Sequence, residues 1–406
     1  MRLAMFSVHS SPLAQPGAGD AGGVTVYVHA LASALARAGI ECDVIVRADA
    51  SDLPPVVTVE PGFRVVHLAA GPPVELDKHG NAELIDEMFE AFMALDDVHE
   101  YDVLHANYWI SGAVAHRAKH ALDVPLMSTF HTLDRVKAEV GIDDDPVTRA
   151  QVEREVIACS DLMLASTAEE VLQLVELYDA DPTRIEVVPP GVDHDAFNPG
   201  PPGAAVAARM LLGLAGKRVL LFAGRIQPLK GAALAVETLA ALDRPDTVLA
   251  IVGGPSGPDG EAELARVHRE VETAGLHERV HFFDPQPHRR LGMFFRAADL
   301  CLVPSRAESF GLVALEAAAC GTPVVASAVG GLRTVVAPGR SGLLVESRDP
   351  HAWADACRAV LDDPAYARRL SEHALLRSRD FAWSVTAARL RRLTADLVAR
   401  EPLRCR

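Results

Sequence analysis

The sequence predicts an α/β protein made of two doubly wound parallel-sheet units, and three observations predict it. Short β-branched runs alternate with helix-length segments along the whole chain, the pattern of parallel strands joined by crossover helices. The runs are apolar without alternation, as strands covered by helices on both sheet faces should be. At 406 residues the chain exceeds one ordinary core of roughly 100 to 200 residues, and its densest Pro and Gly stretch, Pro189 to Gly203, falls between two series of strands.

In chain order the first series is Leu3 to Val8, Asp43 to Val46, Arg64 to Leu68, Val103 to Ala106, Leu126 to Thr129, Leu162 to Ala165 and Ile185 to Val188. A helix over Val24 to Ala38, stopped by Gly39, follows the first strand. The second series is Arg218 to Ala223, Val248 to Val252, Val280 to Phe283, Leu300 to Val303, Pro323 to Ala326 and Gly342 to Val345. The Pro-rich segment reads as an interdomain linker, giving domains at 1–195 and 196–382. Trp383 to Ala399 has helical spacing. Periodicity leaves open which unit this last helix, about 383–400, packs on, the first unit being one host.

Composition excludes some functions. The chain has 39 basic and 55 acidic residues, a formal net charge of −16, and no basic cluster of the kind a nucleic-acid binder needs. No run of 18 apolar residues exists to span a membrane, and the amino-terminal apolar run is too brief for a signal peptide, so a cytoplasmic protein is expected. Six cysteines, Cys42, Cys159, Cys301, Cys320, Cys357 and Cys405, show no C-x-x-C or zinc spacing and read as reduced thiols.

Two glycine-containing turns point to anions. Gly17, Gly19 and Gly22 match G-x-G-x-x-G, which raises a nicotinamide oxidoreductase, but a dinucleotide fingerprint lies directly after its strand and this one does not. What the segment offers is a loop entering a helix at Gly22-Gly23, whose N–H groups suit a phosphate or a hydroxyl. In the second half Arg225 and Lys230 follow a strand at the mouth of a helix, the charge and position of a diphosphate clamp. Beyond them lie Glu308 and Glu316, eight residues apart. Ser309 or Glu308 can start a helix with Leu312, Leu315 and Ala319 on its apolar face, and ionised carboxylates accept hydrogen bonds from vicinal hydroxyls of a nucleotide sugar.

Glu308 to Glu316, with Gly224-Arg225 and Lys230-Gly231 in that order, resembles the E-x7-E element of retaining family 4 glycosyltransferases of the GT-B fold, two Rossmann-like domains facing a cleft. Met1 to Gly23, Ala69 to Pro72, Tyr108-Trp109, Tyr178 to Pro182, Gly253 to Pro258 and Glu308 to Ala314 resemble more closely the branch of that family that glycosylates inositol 3-phosphate. The resemblance implies retaining transfer of N-acetylglucosamine from UDP-N-acetylglucosamine to 1D-myo-inositol 3-phosphate, the first step of mycothiol synthesis.

It implies donor contacts from His9, Gln15, Pro16, Gly23, Arg225, Lys230, Glu308 and Glu316. Acceptor contacts would come from the loop Asp20, Ala21, Gly22, Gly23, Val24 and Thr25 with Lys78, Tyr108, Thr132 and Arg149. His131, Glu308, Arg225 and Lys230 would carry catalysis, His131 by polarising the donor sugar or holding its hydroxyl. No cofactor is required, although the resemblance includes a structural Mg2+ at Phe295, Arg296, Ala298 and Thr322, and it admits a homodimer. Two departures stand out. Gln286 replaces a family arginine, and Thr25 replaces a family asparagine at an acceptor contact. Thr25 motivates an alternative acceptor, such as fructose 6-phosphate, a cyclitol or a natural-product acceptor. A degenerate transferase that only binds its ligands is opposed by the intact Arg225, Lys230, Glu308 and Glu316. Asp193-His-Asp195 lies in the linker, not after a strand. His116 and His120, one helical turn apart without other ligands, read as a solvated helix face.

Overall fold

The computed structural model describes residues 1–17, 21–141 and 148–405. Asp20, with its place in the expected acceptor loop, and Gly19 of the glycine pattern lie outside them. The chain divides into two compact units, and the second takes a piece of the amino-terminal loop: Met1–Ala14, Gly23–Gly191 and Trp383–Arg406 form the first, Gln15–Gly22 and Val192–Ala382 the second. The expected span 1–195 is therefore corrected twice. Val192 already pairs with Ala382 and bonds to Phe381, and Gln15 bonds to Pro285, so local hydrogen bonding rather than position along the chain decides the membership.

The first unit holds β1 (Arg2–Phe6), β2 (Glu41–Arg47), β3 (Val56–Glu60), β4 (Phe63–Leu68), β5 (Val103–Asn107), β6 (Leu126–Thr129), β7 (Leu162–Ala165) and β8 (Ile185–Val187), in sheet order β3-β4-β2-β1-β5-β6-β7-β8. All neighbours are parallel except β3 against β4. Sequence reading does not anticipate β3. It is a half-exposed edge strand directly after Pro54-Pro55, with little burial to mark it. Strands β5, β6 and β7 are fully buried, and β2 is buried beyond Glu41, because helices lie on both faces. One of these is Trp383–Val398, whose Ala387, Leu390 and Leu397 share a core with Leu31 and Leu35 of the helix Gly23–Arg37.

The second unit holds β9 (Arg218–Ala223), β10 (Thr247–Val252), β11 (Val280–Phe283), β12 (Leu300–Val303), β13 (Val324–Ser327) and β14 (Gly342–Val345), all parallel in the order β11-β10-β9-β12-β13-β14. Among the parallel strands the order reverses once in each unit, between β1 and β5 and between β9 and β12. Open parallel sheets bind ligands outside the carboxyl ends of their strands at such reversals.

The cysteines depart from expectation. Cys42, Cys301, Cys320 and Cys357 are free and buried, but Cys159 and Cys405 are joined as a disulfide. Their separation of 246 residues left nothing for a spacing rule to detect. Among the described residues no helix is long and apolar enough to cross a membrane.

Candidate active site

In the second unit the loops after β9, β10 and β12 are tied together at the strand reversal. Ile226 N bonds to Gly254 O at 2.8 Å and Arg306 N to Leu229 O at 2.8 Å. Arg225 donates from Nη1 to Ser256 Oγ, 3.1 Å, and Lys230 Nζ lies 2.6 Å from Glu308 Oε2, which also accepts from Ser305 Oγ at 3.2 Å. Behind Lys230 the helix Ala232–Leu242 starts from Gly231, whose φ is 75° and whose hydrogen faces Pro304; a Cβ there would stand 2.3 Å from the Pro304 carbonyl oxygen. Only glycine fits that approach.

Glu308 remains on a loop. The expected helix start at Glu308 or Ser309 is corrected to Leu312, because Gly311 turns the chain at φ 99° before the helix Leu312–Ala319 begins. The Glu308 carbonyl accepts from Gly331 N at 2.8 Å, which fixes the loop. Glu316, in the second turn of that helix and 4% exposed, accepts from His288 Nε2 at 2.6 Å. Burial pushes the His288 imidazole down, and the Glu316 carboxylate more than offsets it, so its pKa stands above the ordinary value. The loop Gln15–Gly22 belongs to this unit. Gln15 Nε2 donates to Pro285 O at 3.0 Å, Gln286 turns back to Asp284 O at 2.8 Å, and Gly22 lies against the Arg225 guanidinium. Pro16 and Ala21 lie on the same segment, and the nicotinamide reading is corrected here: Gly17 and Gly22 cluster with the second unit rather than with β1.

In the first unit a second group gathers at the ends of β1, β5 and β6. The rings of His9 and Tyr108 are 4.5 Å apart and those of Tyr27 and His131 4.6 Å. Tyr108, at φ 76° and ψ 158°, and His131, at φ 62°, both hold left-handed backbone that side chains disfavour. His131 Nε2 lies 3.0 Å from Asn107 Oδ1. A carboxamide oxygen only accepts, so Nε2 carries the proton in this contact. Burial, with His105 adding to it, pushes the imidazole down to about 3, so it is neutral at working pH.

Arg149, expected as an acceptor contact, is buried and 1% exposed. It donates to Glu153 Oε1 at 2.8 Å and to Thr132 O and Oγ1 at 2.8 and 3.3 Å, with its guanidinium carbon 5.0 Å from the Tyr108 ring centre. Lys78 opens a separate short helix, Lys78–Glu83, capped by Asp77. Arg47, at the end of β2, braces that segment through Asn81 Oδ1, Pro72 O and Val74 O at 2.9, 2.8 and 2.6 Å.

Thr25 is 1% exposed and its hydroxyl bonds to Ser10 Oγ at 2.7 Å. That side chain faces the turn after β1. Of the residues assigned to Mg2+, Thr322 Oγ1 donates to Phe295 O at 2.7 Å, and Ala298 N donates to the same oxygen at 3.1 Å. Arg296 Nη1 bonds to Asn198 O at 3.1 Å. Both lone pairs of the Phe295 carbonyl are thus engaged by hydrogen bonds. Asn107, His288, Ser256, Glu153 and Arg47 were missed in the sequence because nothing about their spacing marks them; each acts through a partner brought in by the fold.

Comparison with known proteins decides the family. Residues 21–196 match the model described as Glycosyltransferase Family 4, and residues 212–377 that of Glycosyl transferases group 1. A D-inositol 3-phosphate glycosyltransferase of Xylanimonas cellulosilytica is 47% identical over 99% of this chain and 98% of its own length. The chain belongs to the D-inositol 3-phosphate glycosyltransferase family. Among solved structures, this chain is similar to the sucrose-phosphate synthase of Thermosynechococcus elongatus, with a TM-score of 0.91 and 34% identity over 98% of this chain and 99% of that one. Anabaena HepE in complex with UDP and glucose matches with a TM-score of 0.80 at 20% identity over 98% of this chain and 100% of that one, which speaks for the GT-B fold alone.

Proposed function

We propose that this chain transfers N-acetylglucosamine from UDP-N-acetylglucosamine to 1D-myo-inositol 3-phosphate with retention of configuration, the first step of mycothiol synthesis. The observation that carries the reading is full-length identity of 47% to a D-inositol 3-phosphate glycosyltransferase, in a chain whose Arg225, Lys230 and Glu308 gather at one strand reversal. Arg225 and Lys230 hold the diphosphate, beside the amino terminus of Ala232–Leu242. Glu308 and Glu316 accept from sugar hydroxyls, and Gln15 and Pro16 lie over the base. The acceptor phosphate meets Lys78, Thr132, Arg149 and the N–H groups opening Gly23–Arg37.

In the reaction the bond from the sugar C1 to the β-phosphate oxygen breaks, and the acceptor hydroxyl bonds to C1 on the same face. The acceptor proton passes to the departing phosphate oxygen, whose charge Arg225 and Lys230 offset. His131, held neutral by its burial, orients the donor sugar. His9 and Tyr108 pack beside it. No step passes through a metal ion.

A second reading keeps the chemistry and exchanges the acceptor for fructose 6-phosphate, favoured by the sucrose-phosphate synthase likeness and by Thr25 facing Ser10. Release of UDP from UDP-N-acetylglucosamine, followed with inositol 3-phosphate and fructose 6-phosphate in parallel, separates the two. Release with the inositol phosphate supports the first, and release only with the fructose phosphate replaces it.

A further inference from the structure

We propose that His116, His120, Cys159 and Cys405 form a tetrahedral Zn2+ site in the reduced protein. The four residues come from three places in the first unit. His116 and His120 lie one turn apart on the helix Trp109–Leu122, Cys159 ends the helix Thr148–Cys159, and Cys405 lies beyond Trp383–Val398. Their ligand atoms all fall within 4.8 Å of one another. The two Nε2 atoms are 3.2 Å apart, and His120 Nε2 lies 3.7 Å from each sulfur.

Those three distances match edges of a zinc tetrahedron. Bonds of about 2.3 Å to sulfur and about 2.0 Å to nitrogen place two nitrogens about 3.3 Å apart and a nitrogen about 3.5 Å from a sulfur. One edge differs: the sulfurs are closed into a disulfide. A disulfide by itself does not call for two imidazoles directed at it, whereas Cys2His2 is a closed structural zinc set, and H-x3-H on a helix supplies half of one. A thiol or phosphine reductant delivers two electrons and two protons, converting the disulfide to two thiols. Zn2+ binding then releases both thiol protons to solvent and leaves two thiolates and two neutral imidazoles on the ion.

The surroundings suit this role. Lys119, 2% exposed, donates to Cys159 O and to Asp161 Oδ2, each at 2.7 Å, placing a buried ammonium beside the Cys159 backbone. Arg184 Nη1 holds Ala158 O and Ser160 O on either side, at 3.0 and 2.9 Å. The tail has its own anchor, since Leu403 N donates to Asp161 Oδ1, so it is seated at the site without help from Cys405. The ion would pin the carboxyl-terminal segment to the helices Trp109–Leu122 and Thr148–Cys159. None of the four residues belongs to the proposed transfer site, and the inference is independent of that reading.

The test uses the full chain, purified in a phosphine reductant without chelator, loaded with Zn2+ and dialysed, then titrated separately with Co2+. Expected are close to one zinc per chain and, with Co2+, the intense visible bands of a tetrahedral ion with sulfur-to-cobalt charge transfer. Cys405→Ser, in a tail that can fold without it, and His120→Ala should each weaken binding at least about tenfold. Reduced wild-type protein that retains no stoichiometric metal overturns the proposal in favour of a disulfide alone. Equal binding by wild type and Cys405→Ser overturns it as well.

Discussion

Lys230 stands between two anions in the proposed reaction, Glu308 at 2.6 Å and the departing diphosphate. Lys230→Ala should lower kcat by about 10²–10³-fold, the usual loss when a group that stabilises developing charge is removed, measured by UDP release at saturating donor. His288→Ala leaves Glu316 without its 2.6 Å partner, so the donor KM should rise about tenfold with kcat nearly unchanged, the signature of lost uniform binding. His131 adds a pH prediction. In the fold its imidazole is held down to about 3, whereas an unfolded histidine protonates near about 6.5. Its contribution to stability is therefore full above about 6.5 and falls as the pH drops towards about 3. His131→Asn, which tolerates the left-handed backbone, should make the acid loss of stability shallower near pH 5 by about 1 kcal/mol per pH unit, read from urea midpoints, and should lower kcat. Neither Asn107 nor His288 was legible as a partner in the sequence. The spacing of Glu308 and Glu316 was visible, but what fixes each carboxylate arrives from strands and loops distant along the chain.

Between elements, the loops after the strands carry the chemistry and short contacts hold them. Gly231→Ala puts a Cβ 2.3 Å from the Pro304 oxygen at a φ of 75°, so it should destabilise by more than about 2 kcal/mol, seen as a lower urea midpoint, and should weaken donor binding. Arg47→Ala removes three hydrogen bonds from the segment that carries Lys78 and should raise the acceptor KM while leaving the donor KM unchanged. Most strands were legible because burial on both faces writes an unbroken apolar run. β3 was not, since an edge strand with one side in water needs no such run. The start of the helix Leu312–Ala319 was placed three residues early, because the pattern of apolar positions says nothing of the turn Gly311 makes at φ 99°.

At the scale of the whole molecule the fold class was legible and its seams were not. The alternation of strands and helices predicts two doubly wound sheets, and TM-scores of 0.91 and 0.80 to solved chains agree with a GT-B fold. That Gln15–Gly22 clusters with the second unit, and that Cys159 meets Cys405, depends on tertiary contacts that no local rule encodes. The net charge of −16 likewise averages over a surface while saying nothing of Arg149, buried against Glu153 and Thr132, or of Arg225 and Lys230 at a strand reversal. The most direct measurement is UDP release by the full chain from UDP-N-acetylglucosamine with inositol 3-phosphate, together with the anomeric configuration of the product by NMR. Release should depend on the inositol phosphate, and the product should retain the donor's α configuration. No release above the donor-only rate, or a β-linked product, would contradict the proposed reaction.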